Sequence, residues 1–371
     1  MTTAVCVQTS AWGHRVGSCG VGPLGVEVQH VRSRDVAVGE RLAHWASMRI
    51  VLAVLVANLV ACTAEQPPAG YPAGLGTATD PLPSDGGYSV ESHVVMSFGT
   101  PGVTSAIAQL QAFSQHGGTT LLAQSADTAS GQALNALPTA LRSKLDGWID
   151  VELDKQMLGT VTVRQGIGDI STMAQTVVTE FVLESSLTIT PTGAVHSLKD
   201  LNFKPSSLDV VVPIGGLATD QIEQKPTADV EAGGALTLGD EHFKLALGSH
   251  AWQGINLAVQ SKYGGDLTIV QNLDCNAVAQ SVAARCVSSS CVGHASDLLA
   301  VCQLGVTTLV DQLRDGLAPI VLDSLRFTHG TATLVDDDHN GVAEKIQGTW
   351  DAQVDLGTGA SAMQIAFTAF E

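Results

Sequence analysis

Residues 309–321, Leu309-Val310-Asp311-Gln312-Leu313-Arg314-Asp315-Gly316-Leu317-Ala318-Pro319-Ile320-Val321, place Leu309, Leu313, Leu317 and Val321 at steps of four. Shortly after, Thr331-Ala332-Thr333-Leu334-Val335 alternates, as do Ile346, Gly348, Trp350, Ala352 and Val354. A step of four marks one face of a helix and a step of two marks a strand with one buried face. One short stretch therefore turns from helix to strands, and the expected class is α+β.

The same two periods recur outward from it. Residues 138–157 carry Leu141, Leu145, Trp148, Ile149 and Leu153, an amphipathic helix with Pro138 in its opening turn. Strands are expected over 177–190 and 208–214 and over the alternating end 363–370. Two hairpins are expected, 235–238 with 243–247 around Gly239-Asp240, and 255–259 with 267–269 around Gly264-Gly265. The sum is an antiparallel β-rich domain with two or more amphipathic helices. The segments at 141–153 and 313–325 share a faint Leu-Arg-x2-Leu pattern.

Cys275, Cys286, Cys291 and Cys302 are spaced C-x10-C-x4-C-x10-C. Eleven residues on an α-helix return to nearly the same stripe, so each outer–inner pair shares one helix face. Folding the chain back at Val287-Ser288-Ser289-Ser290 brings Cys275 to Cys302 and Cys286 to Cys291, a stapled helical hairpin over 275–314. The pattern resembles the twin-Cys helical hairpins of other oxidising compartments. A zinc site would call for a short C-x2-4-C chelating pair, which the spacing lacks.

Asp336-Asp337-Asp338-His339-Asn340-Gly341-Val342-Ala343-Glu344 reads D-x-D-x-N-G-x-x-E. Alternate oxygen ligands converge when the backbone curls, and calcium takes six to eight of them. Asp336, Asp338, Asn340 and Glu344 would supply side-chain oxygens and Val342 a carbonyl. The loop, 336–344, resembles the first nine positions of EF-hand-like loops, with Gln347 in place of the acidic twelfth. Its strand-like flanks are closer to the calcium loops of β-rich secreted repeats. The metal, Ca2+, is expected to be structural. An acidic hairpin turn is the other reading, since Asp, Asn and Gly favour turns.

Near the start, Met48-Arg49 precedes the apolar run 50–61 and Cys62. A run this short is a secretory signal and not a bilayer span. Leu59-Val60-Ala61-Cys62 resembles the lipobox of bacterial lipoproteins, in which the Cys is lipidated and becomes the mature N-terminus. The resemblance implies a signal peptide at 48–61, lipidation at Cys62 and a mis-assigned extension at 1–47. Thr63 after the Cys leans, by that family's sorting habit, towards the outer membrane. Pro67-Pro68, Pro72, Pro81 and Pro83 among small polar residues make 62–92 a tether, with the globular domain at 93–371.

The formal charge of −18 argues against a nucleic-acid partner, which needs a basic face. No G-x-S-x-G, H-E-x-x-H or G-x4-G-K occurs. His116-Gly117-Gly118-Thr119 resembles the oxyanion loop of lipases but lacks the nucleophile elbow, and Gly166-Ile167-Gly168 is only a fragment of a dinucleotide fingerprint. The histidines, among them His196, His242 and His250, make no ligand spacing, and the last two are expected at the surface beside the first hairpin. The expectation is a membrane-anchored envelope lipoprotein with a non-enzymatic binding or structural domain. A carrier of a hydrophobic ligand, similar in architecture to tubular lipid-binding families, and an envelope hydrolase remain as alternatives. The protein or hydrophobic partner is not specified by the residues.

Overall fold

The structure is a computed structural model that describes residues 75–371, apart from 78, 97–99 and 356–359. The expected extension at 1–47, the signal peptide at 48–61 and Cys62 lie outside the described residues. The described chain is α+β, with eight α-helices and a curled antiparallel sheet.

The chain enters through β1 (Leu82–Pro83) and β2 (Tyr88–Val95). The tether expected over 62–92 therefore gives way to the fold by Leu82. The alternation of Tyr88, Val90, Ser92 and Val94 buries one face of β2, although Pro81 and Pro83 make the preceding stretch look loop-like. Four helices follow: α1 (Pro101–Gln115), α2 (Gly117–Gln124), α3 (Ala129–Asn135) and α4 (Thr139–Leu153). Helix α4 is the one expected from 138–157, and its stripe Leu141, Leu145, Ile149 and Leu153 is buried. The His116-Gly117-Gly118 motif opens α2. A Cβ on Gly118 would lie 2.3 Å from the carbonyl oxygen of Asp146, so the glycine lets α2 approach the backbone of α4.

Small strands β3 (Met157–Leu158) and β4 (Val161–Thr162) lead into α5 (Val163–Val177). Thr160 to Val163 alternates like a strand, but Thr162 and Gln165 form a capping box and start a helix. Gly166-Ile167-Gly168 lies inside that helix. The strands β5 (Glu180–Thr190), β6 (Gly193–Phe203), β7 (Val210–Pro213), β8 (Glu223–Gln224) and β9 (Ala228–Val230) follow. Next come β10 (Ala235–Leu238) and β11 (Glu241–Leu245).

The first expected hairpin is not formed. Strands β10 and β11 do not pair with each other. Both run along β14 (Leu322–Val335), with Leu236 opposite Ala332 and Phe243 opposite Leu325. Gly239-Asp240 is a bend along one edge rather than a reversal. The second expected hairpin is instead α6 (Leu247–Tyr263) followed by a 3-10 turn, Leu267–Asn272. Ile255, Leu257 and Val259 alternate, yet Leu247, Ala251, Ile255 and Ala258 also mark a helical stripe, and that stripe is buried. Gly264, at φ +81°, closes the helix.

The cysteine segment forms α7 (Cys275–Ala283), β12 (Cys286–Val287), β13 (Ser290–Cys291) and α8 (Ala295–Leu317). The disulfides join Cys275 to Cys302 and Cys286 to Cys291. Only the outer one staples two helices. Helix α7 ends at Ala283, so the inner pair lies on a miniature β-hairpin. The chain then runs through β14, β15 (Val342–Ala343), β16 (Lys345–Asp355) and β17 (Ala360–Phe370).

The main sheet has the order β7-β6-β5-β2-β17-β16-β14-β10-β9. It curls back on itself through residues 221–230. On one side His196 and Ser197 of β6 pair with Gln224 and Glu223. On the other, Gln221 and Lys244 of β11 exchange backbone bonds at 2.8 and 3.2 Å, and β9 pairs with β10. The helices pack on one another, α1 between α5 and α8, and meet the sheet where Phe203 of β6 lies against Gly254 of α6.

One polar contact ties the cysteine segment to the helices. Glu152 of α4, nearly buried, accepts from Lys155 at 2.8 Å and from Arg285 Nη2 at 2.6 Å. Burial alone would raise its pKa, but bonds from Lys155, Arg285 and Ser281 prevail and hold it at about 2, against an ordinary 4.5. The folded state therefore releases this proton more readily than the unfolded one. The stabilisation is complete above about pH 4.5 and is lost as pH falls towards 2, with a size on the order of 2 kcal/mol. Urea unfolding of the wild type and of Glu152→Gln should differ most near pH 7 and converge near pH 2. A constant difference across that range would refute the assignment.

Candidate metal centre and a buried polar relay

The loop between β14 and β16 is built from its own turn chemistry. His339 and Gly341 have φ of +62° and +89°, which curls the backbone. Asp336, itself buried, accepts from Asn340 N at 3.1 Å and Gly341 N at 2.7 Å. Asp338 accepts from Asn340 N at 3.1 Å, and Glu344 accepts from Asp337 N at 2.8 Å. Carboxylate oxygens of Asp336, Asp338 and Glu344 all lie within 4.8 Å of one another, close enough to hold one metal ion. Burial and the nearby Asp338 raise the pKa of Glu344 against the pull of the Asp337 N–H. Its Oε1 is buried without a hydrogen-bond partner.

These three are the acidic members of the five expected ligands. Asn340 Oδ1 accepts from Val342 N at 2.7 Å, and its Nδ2 donates to Asp338 at 3.2 Å. Val342 sits in β15, parallel to Leu82 of β1. The entering chain therefore grips the loop. Leu82 N donates to Gly341 O at 3.0 Å, and the Tyr88 hydroxyl donates to Ala343 O at 2.8 Å.

A second cluster lies inside the curled sheet. His196 Nε2 is 2.8 Å from Ser185 Oγ, and its Nδ1 meets Glu241 Oε2. Exposure is 1 % for Ser185, 1 % for His196 and 2 % for Glu241, so the trio is sealed. Around it, the Trp350 ring stacks on His196 at 6.0 Å, with Phe243 and Phe327 at 5.3 and 6.3 Å from the imidazole. Serine, imidazole and carboxylate in this order can activate a hydroxyl. Here all three side chains are buried, and the trio joins β5, β6 and β11 across the closure of the sheet.

The sequence reading passed over this trio. Its signal was present: His196 shares the inward face of β6 with Ala194 and Leu198, and Glu241 shares that of β11 with Phe243 and Leu245. His250, expected at the surface, is buried. Its Nε2 lies 3.0 Å from Asp220, whose other oxygen accepts from Ala246 N at 2.9 Å, so Asp220 caps α6 from outside the helix. His242 is exposed, as expected.

A cleft of about 470 Å³ opens between Leu273, Asp274 and Cys275 on one side and Gln303, Val306 and Thr307 on the other. It is open to solvent and of mixed polarity. Comparison with protein families, curated proteins and solved structures gave no match for this chain.

Proposed function

We propose that the chain is a lipid-anchored envelope lipoprotein whose domain acts by binding or by structural support, with calcium as a brace. The observation that carries this reading is the pair of disulfides, Cys275–Cys302 and Cys286–Cys291. Disulfides persist in oxidising compartments, outside the cytosol. The Leu59-Val60-Ala61-Cys62 lipobox supplies both the export route and the anchor. The burial of Ser185, His196 and Glu241 favours reading them as a fastening rather than as a hydrolase site. Labelled palmitate should enter the wild-type protein in a bacterial host and should not enter Cys62→Ala, which should leave the membrane fraction. Palmitate absent from the wild type would overturn the anchor.

Calcium suits the loop because all three converging ligands are hard oxygens and Glu344 brings an oxygen with no other partner. At a calcium concentration about 100-fold above Kd the domain should gain about 2.7 kcal/mol, a rise in Tm of roughly 5 °C over the chelated form. Asp338→Asn should abolish the difference between calcium and chelator, whatever it does to the absolute Tm. Equal melting of the wild type in calcium and chelator would exclude a structural calcium.

A further inference from the structure

The two disulfides occupy opposite settings. Cys275 and Cys302 are 5 % and 2 % exposed and close a separation of 27 residues between packed helices. Cys286 and Cys291 are both exposed and close a separation of five. A bridge over so short a loop removes less freedom from the unfolded chain than one over 27 residues, so it contributes less to stability by that route.

The hairpin that carries the inner bridge is also held by other contacts. Cys286 stands opposite Cys291 and Val287 opposite Ser290. The root below them is held by Val292 N donating to Arg285 O at 2.9 Å and Gly293 N donating to Ala283 O at 3.0 Å. Arg285 is itself anchored to Glu152, and the outer disulfide and the packing of α7 on α8 hold the rest. The tip, Ser288, Ser289 and Ser290, is exposed and carries only small side chains, which leaves the sulfurs open to approach.

We infer that the Cys286–Cys291 disulfide is a thiol-exchange site for an external dithiol, and that Cys275–Cys302 is a permanent bond. A thiolate of the dithiol attacks one sulfur of the pair. An S–S bond forms between partner and protein while the Cys286–Cys291 bond breaks, and the electron pair leaves on the other cysteine as a thiolate. The second thiol of the partner, as its thiolate, then attacks the mixed disulfide. The partner leaves oxidised, and Cys286 and Cys291 each end with a proton. Two electrons and two protons pass from the dithiol to the protein, and the reverse sequence restores the bridge. Breaking this bond costs the fold less than breaking the outer one, so the exchange is separable from unfolding. The outer bond is shielded from attack by burial and coupled to helix packing, so it resists.

The full chain, treated with graded dithiothreitol under native conditions and trapped by alkylation, tests this by mass spectrometry. Cys286 and Cys291 should become labelled at a reductant concentration at least tenfold below that needed for Cys275 and Cys302. Circular dichroism should be unchanged at that point, and diamide should restore the bridge. Simultaneous opening of both bridges, opening of the outer one first, or loss of the fold on reduction of Cys286–Cys291 would overturn the inference. The double variant Cys286→Ser/Cys291→Ser should fold, keep its outer bridge and show no labelling at low reductant. Failure of that variant to fold would make the inner bridge structural and end the proposal.

Discussion

Glu241→Ala should destabilise the domain by about 3–5 kcal/mol, the usual cost of removing one member of a buried ionisable pair. The glutamate is 2 % exposed and its partner His196 1 %, so the imidazole would lose its partner away from bulk solvent. His196 would keep its bond to Ser185 through Nε2, but Nδ1 would face Phe243, Phe327 and Trp350 alone. The loss falls where the sheet closes. Glu241 lies on β11 and His196 on β6, and between them runs only the short segment around Glu223–Gln224. Ser185→Ala, which removes one neutral hydroxyl, should cost about 1 kcal/mol. Urea unfolding at neutral pH measures both, and a double-mutant cycle with His196→Leu should show coupling of at least about 1 kcal/mol between His196 and Glu241. Additive effects would mean that the two side chains do not act as one fastening.

That fastening also shows where sequence reading reaches and where it stops. Strands with one clean buried face were legible: Trp350, Ala352 and Val354 of β16 and Ile365, Phe367 and Ala369 of β17 alternate and are buried. The helix Thr139–Leu153 was equally plain. The helix Leu247–Tyr263 was not, because Ile255-Asn256-Leu257-Ala258-Val259 satisfies both periods. Its N-terminal cap, Asp220, comes from a distant segment and leaves no local mark. The pairing of β10 and β11 with β14 was illegible for a related reason. Gly239-Asp240 has hairpin chemistry, but a strand 14 residues long, Leu322–Val335, offers one edge on which both pieces lie in line. The three acids of the loop at 336–344 were legible because the loop is local, whereas the engagement of Asn340 with Val342 depends on the actual curl of the backbone. Ser185, His196 and Glu241 come from three strands, and no single-sequence spacing joins them.

Trp350→Ala should cost about 3–5 kcal/mol, and Gly330→Ala about 1–3 kcal/mol, for opposite reasons. Trp350 is fully buried and stacks on His196 and, at 5.1 Å, on Phe367, so its removal opens a void at the centre of the curled sheet. Gly330 faces Leu238 across β14 and β10, and a Cβ there would fall 2.3 Å from Cζ3 of Trp350 and 2.5 Å from Cε3. The contact is with a rigid, fully buried ring that is itself stacked on two others, so a rotamer change does not readily relieve the strain. The two effects must therefore couple. In the Trp350→Ala background the two contacts with the indole are gone and only the tight approach to Leu238 Cβ at 3.0 Å is left, so most of the cost of Gly330→Ala should vanish. Chemical denaturation of the wild type, both single variants and the double variant reads this directly. If Gly330→Ala costs the same with and without the indole, the ring does not press on that glycine, and the packing of the aromatic core around His196 must differ from the one described.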